Sequence, residues 1–305
     1  MLIIGTRGSE LALWQAHHVR DLLRERAGLA AEIRIIRTEG DRVQDRSLGE
    51  MPGIGFFTRE IENALLARDV HIAVHSHKDL PTEAPLELAV AAVPERGPVR
   101  DLLLIRPEAH DPDAPELPLR EGARVGTGSA RRRSLLRALR PDLRPADLRG
   151  NVPTRMARLA EDPAGTEPLD AIVLAEAGLA RLGLDPAPLR VALLDPERFV
   201  PAPAQGALAI QVHRAARIPE RGALVDALAP LHHEETASAV SAERRVLAGL
   251  EGGCNLPLGV LARTVPGGLR LVGALGRPDG TMARCDIVAP DPETAAREAL
   301  NRLRS

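Results

Sequence analysis

The chain has 305 residues, 44% of them apolar, and a formal net charge of −2. That is enough apolar material for two or three globular domains, and it leaves no bulk basic field for nucleic acid or an anionic membrane. With one Trp, three Phe and no Tyr, the cores are aliphatic, and the aromatic platforms of a single-strand nucleic-acid binder are missing.

Strand-like and helix-like segments alternate, which predicts α/β architecture. Residues 2–5 read as a short strand, and Ser9 as the cap of a helix from Glu10 to about Arg26. A strand from Ile33 to Arg37 follows, then a polar, glycine-bearing stretch from Gly40 to Gly55 expected to be a mobile loop. Next come a helix from Thr58 to Ala67, a strand over 70–74 and another from Ala89 to Val93. Composition shifts at Pro94-Glu95-Arg96-Gly97-Pro98, a crossover into a second α/β unit near Asp101. That unit is expected to hold a strand at Arg124 to Gly126, a helix at Ser134 to Leu139 and a strand at Ala171 to Leu174. Pro201 to Gly206 reads as a second hinge, Ala207 to Val212 as a strand and Thr236 to Leu247 as a helix. The tail predicts a small α+β domain, with strands near 258–264, 269–275 and 282–288 and a helix from about Pro292 to Leu303. The amino terminus shows no charged leader before a long apolar segment, and no run reaches roughly 18 apolar residues. Two cysteines make no disulfide framework. A soluble cytoplasmic protein with reduced thiols is expected.

Of forty Lys+Arg, one is lysine: Lys78, beside Asp79 at the end of an apolar strand. A strand end is where open α/β sheets place their chemistry. Val125-Gly126-Thr127-Gly128-Ser129-Ala130-Arg131-Arg132-Arg133-Ser134 is a strand, a small-residue turn and a helix start with three arginines. The helix dipole disfavours cations there, so the pattern reads as an anion site or as a solvated basic face. Leu148-Arg149-Gly150-Asn151-Val152-Pro153-Thr154-Arg155 flanks a Gly-Asn turn with arginine forks, and Thr6-Arg7-Gly8-Ser9 follows the first strand. Together these loops describe a site for a small molecule with several carboxylates. In Glu251-Gly252-Gly253-Cys254 the thiol either projects from a loop free of bulk or is a small buried hydrophobe; Cys285, in a strand-like run, reads as structural. The histidines, including His75 and His77, lack the convergent spacing of a metal site, so no metal is expected.

These segments, with Leu11-Ala12-Leu13-Trp14-Gln15-Ala16, Ala73-Val74-His75-Ser76-His77-Lys78-Asp79, Ala177-Gly178-Leu179-Ala180-Arg181-Leu182-Gly183, Pro203-Ala204-Gln205-Gly206-Ala207, Ala242-Glu243-Arg244 and Leu250 to Cys254, form an ordered set. The set resembles the porphobilinogen deaminase (hydroxymethylbilane synthase) family across nearly the whole chain. The resemblance implies three α/β domains: residues 1–96 with 201–216, 97–200, and 217–305. The first two would be like the lobes of type II periplasmic binding proteins, with the site in the cleft between them. The third would be a small α+β domain carrying Cys254.

The resemblance also implies an activity: four porphobilinogens joined head to tail with release of ammonia, then hydrolysis of the product. Cys254 would carry a dipyrromethane cofactor through a thioether. Asp79 would be the central carboxylate. Arg131, Arg132 and Arg155, with Ser76, Lys78, Thr127 and Ser129, would hold the cofactor's acetate and propionate groups. Arg7, Ser9, Arg149 and Arg181 would hold the incoming ring, with Gln15, Arg155, Gln205 and Phe57 also on the substrate. The family is usually monomeric. Lysines common in the family are replaced by Glu50 and Ile54, and Gly128 and Ala204 stand where Ser and Gly are commoner. A non-catalytic carboxylate-binding protein would also use the arginine loops, but it gives no reason for Glu251 to Cys254 or for Lys78-Asp79. A relative that has lost turnover is the other alternative.

Overall fold

Alternating strands and helices build two five-stranded sheets in a computed structural model that describes residues 1–37, 58–161, 167–219, 222–250 and 256–305. The chain forms two units, Met1–Gly97 with Gly206–Ser241 and Pro98–Gln205 with Ala242–Ser305. In chain order the strands are β1 (Leu2–Thr6), β2 (Ala31–Ile35), β3 (Ile72–Ser76) and β4 (Leu88–Ala92), then β5 (Asp101–Ile105), β6 (Arg124–Gly126), β7 (Arg144–Ala146), β8 (Ala171–Ala175) and β9 (Arg190–Leu193). β10 (Leu208–His213), the short β11 (Arg217–Ile218) and β12 (Gly222–Ala223) follow, and β13 (Leu258–Val265), β14 (Gly268–Gly276) and β15 (Met282–Ala289) end the series.

The first sheet has the order β2-β1-β3-β10-β4 and the second β7-β6-β8-β5-β9. Each has three parallel strands, then one reversed strand, then a fifth antiparallel to the reversed one. Within each unit the parallel strands follow the same sequence: second, first, third, reversed, fourth. The reversed strand is β10 in the first sheet and β5 in the second, the strands that follow the first two of the chain's three crossings between the units. In the second sheet β8 and all of β5 after Asp101 are continuous apolar runs because both of their faces are covered. Leu103, Ile105, Ala171 and Val173 enter one core of the second unit, while Leu102, Leu104, Ile172 and Leu174 enter another. Each such leucine contributes roughly 1.5–3 kcal/mol by leaving water.

The C-terminal β13-β14-β15 sheet is antiparallel, and the helix Pro292–Arg304, capped by Asp291, packs on β14 and β15. This small α+β layer shares a core with the second lobe through Leu261 and Ala274. Two glycines permit that approach: a Cβ on Gly276 would lie 2.6 Å from Ser134 Oγ, and one on Gly259 2.5 Å from the Val200 carbonyl. None of the helices among the described residues is long and apolar enough to cross a membrane.

Several elements differ from expectation. The α-helix Glu10–Leu22 continues as a wider π turn, Leu23–Ala27, and stops at Gly28, whose φ of 61° is left-handed. β2 begins at Ala31 because its register pairs Ala31 with Leu2. β3 runs two residues later than the apolar run suggests and so includes Ser76. The helix expected from Ser134 starts at Ala130, with the Ser129 hydroxyl accepting the Arg132 N–H as its cap. The Gly-Asn turn starts a helix: Asn151 caps Val152–Ala160, and Pro153 takes a first-turn position whose N–H has no helical partner. The expected mobile loop at Gly40 to Gly55 lies outside the described residues.

One polar chain crosses an apolar face of the first sheet. Ile72 and Val74 enter one core and Ala73 another, so His75 shares the face of Ala73. The helix Arg59–Leu66 covers that face with Ile61 and Leu65. There Gln211 Nε2 donates to Glu62 Oε1 at 3.0 Å, and His75 Nε2 lies 3.1 Å from Gln211 Oε1. Burial pushes His75 down to about 4 from its ordinary 6.5, although the Gln211 contact opposes the shift. The unfolded chain therefore binds a proton that the folded chain refuses between these values. This stability is complete above about pH 6.5 and is lost progressively as pH falls from there to about 4, a change of roughly 3 kcal/mol. Urea unfolding of the parent and of His75→Gln at pH 7 and pH 4.5 checks it: the parent loses the larger part of that stability and the variant keeps most of its own. Equal losses in both proteins exclude His75 as the source.

Candidate active site

In the first unit the expected site residues lie around the ends of β1 and β3. Ser9 caps the helix Glu10–Leu22, its hydroxyl accepting the Ala12 N–H at 3.4 Å, which sets Arg7 in the turn just before the helix. Gln15, buried on that helix, donates from Nε2 to Ser76 Oγ at 2.7 Å. The His77 N–H donates to the Ala207 carbonyl at 3.0 Å, so the chain leaves β3 in a fixed direction. The 3₁₀ turn His77–Asp79 then leaves Lys78 half-buried and the Asp79 side chain exposed. Phe57, expected over the site, lies outside the described residues, as do Glu50 and Ile54.

In the second unit a buried carboxylate organises the arginines. Side chains alternate along a strand, so Asp101 emerges from β5 on the face of Leu103 and Ile105. The helix Ala130–Leu139 packs there through Leu135 and Leu136. Its first turn therefore meets Asp101. Arg131 Nη2 lies 2.8 Å from Asp101 Oδ2 and Arg132 Nη2 2.8 Å from Oδ1. Gln205 Nε2 donates to Oδ1 at 2.9 Å and to the Val99 carbonyl at 2.8 Å. Arg131 also donates to the Val200 carbonyl and Arg132 to that of Val173. Burial pushes the Asp101 carboxyl up, but the charges of Arg131 and Arg132 and the hydrogen bonds from Arg132 and Gln205 outweigh it and hold the group well below the usual carboxylate range. Burial likewise lowers Arg131, against the pull of Asp101. The anion that the basic helix start calls for is thus supplied within the chain. Arg133 finds its own partner, Asp147, at 2.8 Å. A solvated basic face does not describe Arg131 and Arg132, which are buried.

Thr127, fully buried, accepts the Ser129 N–H at 3.2 Å. Gly128 has a local reason to lack a side chain, since a Cβ would lie 3.0 Å from the Leu148 carbonyl. Arg149 is half-buried just before the helix Val152–Ala160, and Arg155 Nε donates to the Gly150 carbonyl at 2.8 Å. Arg181 sits in the last turn of the helix Glu176–Leu182, and burial brings it down to about 10. Cys254 lies outside the described residues. Cys285 is buried on β15, where burial pushes its thiol up to about 11.

Asp101 was not among the expected site residues, although an acid opening the apolar run Asp101-Leu102-Leu103-Leu104-Ile105 is a readable signal: a charge buried there needs partners. Glu243 belonged to a quoted motif without a role. Fully buried, it accepts the Ala204 N–H at 2.6 Å and the Ala262 N–H at 2.8 Å, joining the Pro201 to Gly206 segment to β13. Ala204 itself holds φ 61°, the left-handed region that favours glycine.

The donor set fits a polycarboxylate group. Two guanidiniums face one carboxylate, and Nε of both Arg131 and Arg132 is buried with no hydrogen-bond partner among the described residues. The chain was also compared with known proteins. Residues 2–220 match the family model "Porphobilinogen deaminase, dipyromethane cofactor binding domain", and residues 237–301 match "Porphobilinogen deaminase, C-terminal domain". A porphobilinogen deaminase of Syntrophobacter fumaroxidans is 44% identical over 91% of this chain and 84% of its own length. That of Roseiflexus sp. is 44% identical over 93% of this chain and 88% of its own. Among solved structures, an ABC transporter periplasmic substrate-binding protein from Coxiella burnetii aligns over 80% of this chain and 97% of its own, at 14% identity and a TM-score of 0.41. By the length and identity of these sequence matches, the chain belongs to the porphobilinogen deaminase family.

Proposed function

We propose that the chain joins four porphobilinogen molecules head to tail with release of ammonia and hydrolyses the product to hydroxymethylbilane, acting in the cytoplasm as a monomer. The observation that carries this reading is the surplus of buried guanidinium donors over carboxylate at Arg131 and Arg132. Each porphobilinogen brings two carboxylates, so negative charge grows with every addition, and arginine forks suit that load.

Arg131, Arg132, Arg155, Lys78, Ser76, Thr127 and Ser129 hold the acetate and propionate groups of the dipyrromethane cofactor, and Cys254 anchors it through a thioether. When bound, the cofactor supplies the primer to which substrate rings are joined. Arg7, Ser9, Gln15, Arg149, Arg155, Arg181, Gln205 and Phe57 bind and orient the incoming ring. The Asp79 carboxylate accepts pyrrole N–H groups, offsets the positive charge that develops on the ring as ammonia leaves, and moves the ring proton. A fixed carboxylate stabilises such charge best where little water competes. Cys285 is unsuited to anchoring, because a thiol must ionise to act as a nucleophile and burial opposes that here.

Three outcomes test the reading. The intact protein carries a mass excess of two porphobilinogens less two ammonias, mapped to Cys254; Cys254→Ser loses it and Cys285→Ser retains it. An adduct on Cys285 overturns the anchor. Asp79→Asn keeps the fold and the cofactor while porphobilinogen consumption falls on the order of 100-fold or more; near-normal rates remove Asp79 from the mechanism. Asp101→Asn leaves two buried guanidiniums facing a neutral amide, and urea unfolding at pH 7 shows a loss of about 3–5 kcal/mol. A loss well under 1 kcal/mol would mean that the cluster is not held by this charge.

A further inference from the structure

The chain Glu62–Gln211–His75 joins three elements behind the turn that carries Lys78 and Asp79. Glu62 is on the helix Arg59–Leu66, Gln211 on β10 and His75 on β3. Their exposures are 9%, 1% and 5%, inside a face otherwise lined by Ile61, Leu65, Val70, Ala73 and Leu88. A polar group there needs a partner, and the removal of one strands the next.

The chain has a direction. A carboxylate only accepts, so the Gln211 amide must turn its NH₂ to Glu62 and its oxygen to His75. The opposite orientation would set two acceptors against each other. The amide oxygen in turn requires a proton on His75 Nε2. A carboxylate on a helix thereby selects one imidazole tautomer on the neighbouring strand, two hydrogen bonds away.

The position of His75 gives this a consequence. Ser76 follows it and is held by Gln15 at 2.7 Å; His77 comes next, its N–H on the Ala207 carbonyl at 3.0 Å. The end of β3 is thus fixed at three successive residues before the chain turns into Lys78 and Asp79. The His75 clamp is the one made through a buried side chain to the adjoining strand.

We infer that His75, oriented through Gln211 by Glu62, is a positioning residue that fixes the direction in which the Ser76–Asp79 turn leaves the sheet. This rests on the function proposed above, in which Asp79 meets the reacting ring. A displaced carboxylate lowers the rate of reaction more than the affinity for substrate, because the geometry matters most in the transition state.

The test uses the cofactor-loaded enzyme, with loading verified by mass and rates given per loaded molecule. His75→Phe fills the volume without a donor and lowers kcat about tenfold or more, with KM for porphobilinogen within about twofold. His75→Gln offers an amide N–H at similar reach and retains kcat within about threefold of the parent. Gln211→Leu combined with His75→Phe loses no more than His75→Phe alone, as members of one unit do. Imidazole ¹⁵N spectra at pH 7 show the parent His75 with its proton on Nε2, and Gln211→Leu releases that preference. The inference is overturned by an unchanged kcat in His75→Phe, by equal losses in His75→Phe and His75→Gln, or by a proton on Nδ1 in the parent. A parent enzyme that loads cofactor but turns over no porphobilinogen overturns the proposed function instead, and the spectra then judge the tautomer separately.

Discussion

Asp101 is the point on which the second unit turns. It is a fully buried carboxylate at the start of a strand whose other residues are all apolar, and it is stable as an anion because two guanidiniums and an amide converge on it. A buried charge without such partners is among the most unfavourable features a fold can contain. The same contacts fix the helix Ala130–Leu139 against β5 and hold Val200 and Gln205 of the return segment. The positions of Arg131, Arg132 and Gln205 follow from one requirement, that Asp101 be neutralised. Two positive charges against one negative leave the cluster cationic, and a cationic cluster can hold an anionic group without rearranging its own pairs.

The first unit meets a similar demand with one carboxylate and two neutral partners. Glu62, Gln211 and His75 satisfy one another across three elements, and Gln15 reaches Ser76 from a fourth. Both units thus use buried polar groups to define direction at a place where apolar packing alone is permissive, since apolar contacts fix distance better than orientation. In the second unit Glu243 does this for backbone N–H groups: it holds Ala204 and Ala262 and so ties the C-terminal sheet to the segment that carries Gln205.

The elements were largely legible in the sequence because their patterns are local. β6, β8 and the three C-terminal strands stand out as short β-branched or alternating runs, and Ser9 announces its helix by the capping rule. The start of the helix at Ala130 was less so. Arg131 and Arg132 read as a basic helix start without a visible counter-charge, because Asp101 is 31 residues away from Arg132. The pairing of His75 with Gln211 spans 136 residues and depends on β10 lying beside β3, which periodicity cannot reveal. The family motifs singled out the arginine loops and Asp79 as candidates by order along the chain. They gave no role to Asp101, Glu62, Gln211 or Glu243, whose parts become visible only when the strand order is known.

The placement of β10 has a consequence for the order of folding. β10 lies between β3 and β4 in the first sheet, yet it is residues 208–213 of the chain. During synthesis, β1 to β4 emerge first and have a gap where their central partner belongs. The exposed edges of β3 and β4 then stay open until the whole second lobe has left the ribosome. The second sheet has no such delay, because its reversed strand, β5, precedes its companions. The lobe made later is therefore the one that closes first, and the N-terminal lobe is the stretch of nascent chain that most needs protection from aggregation.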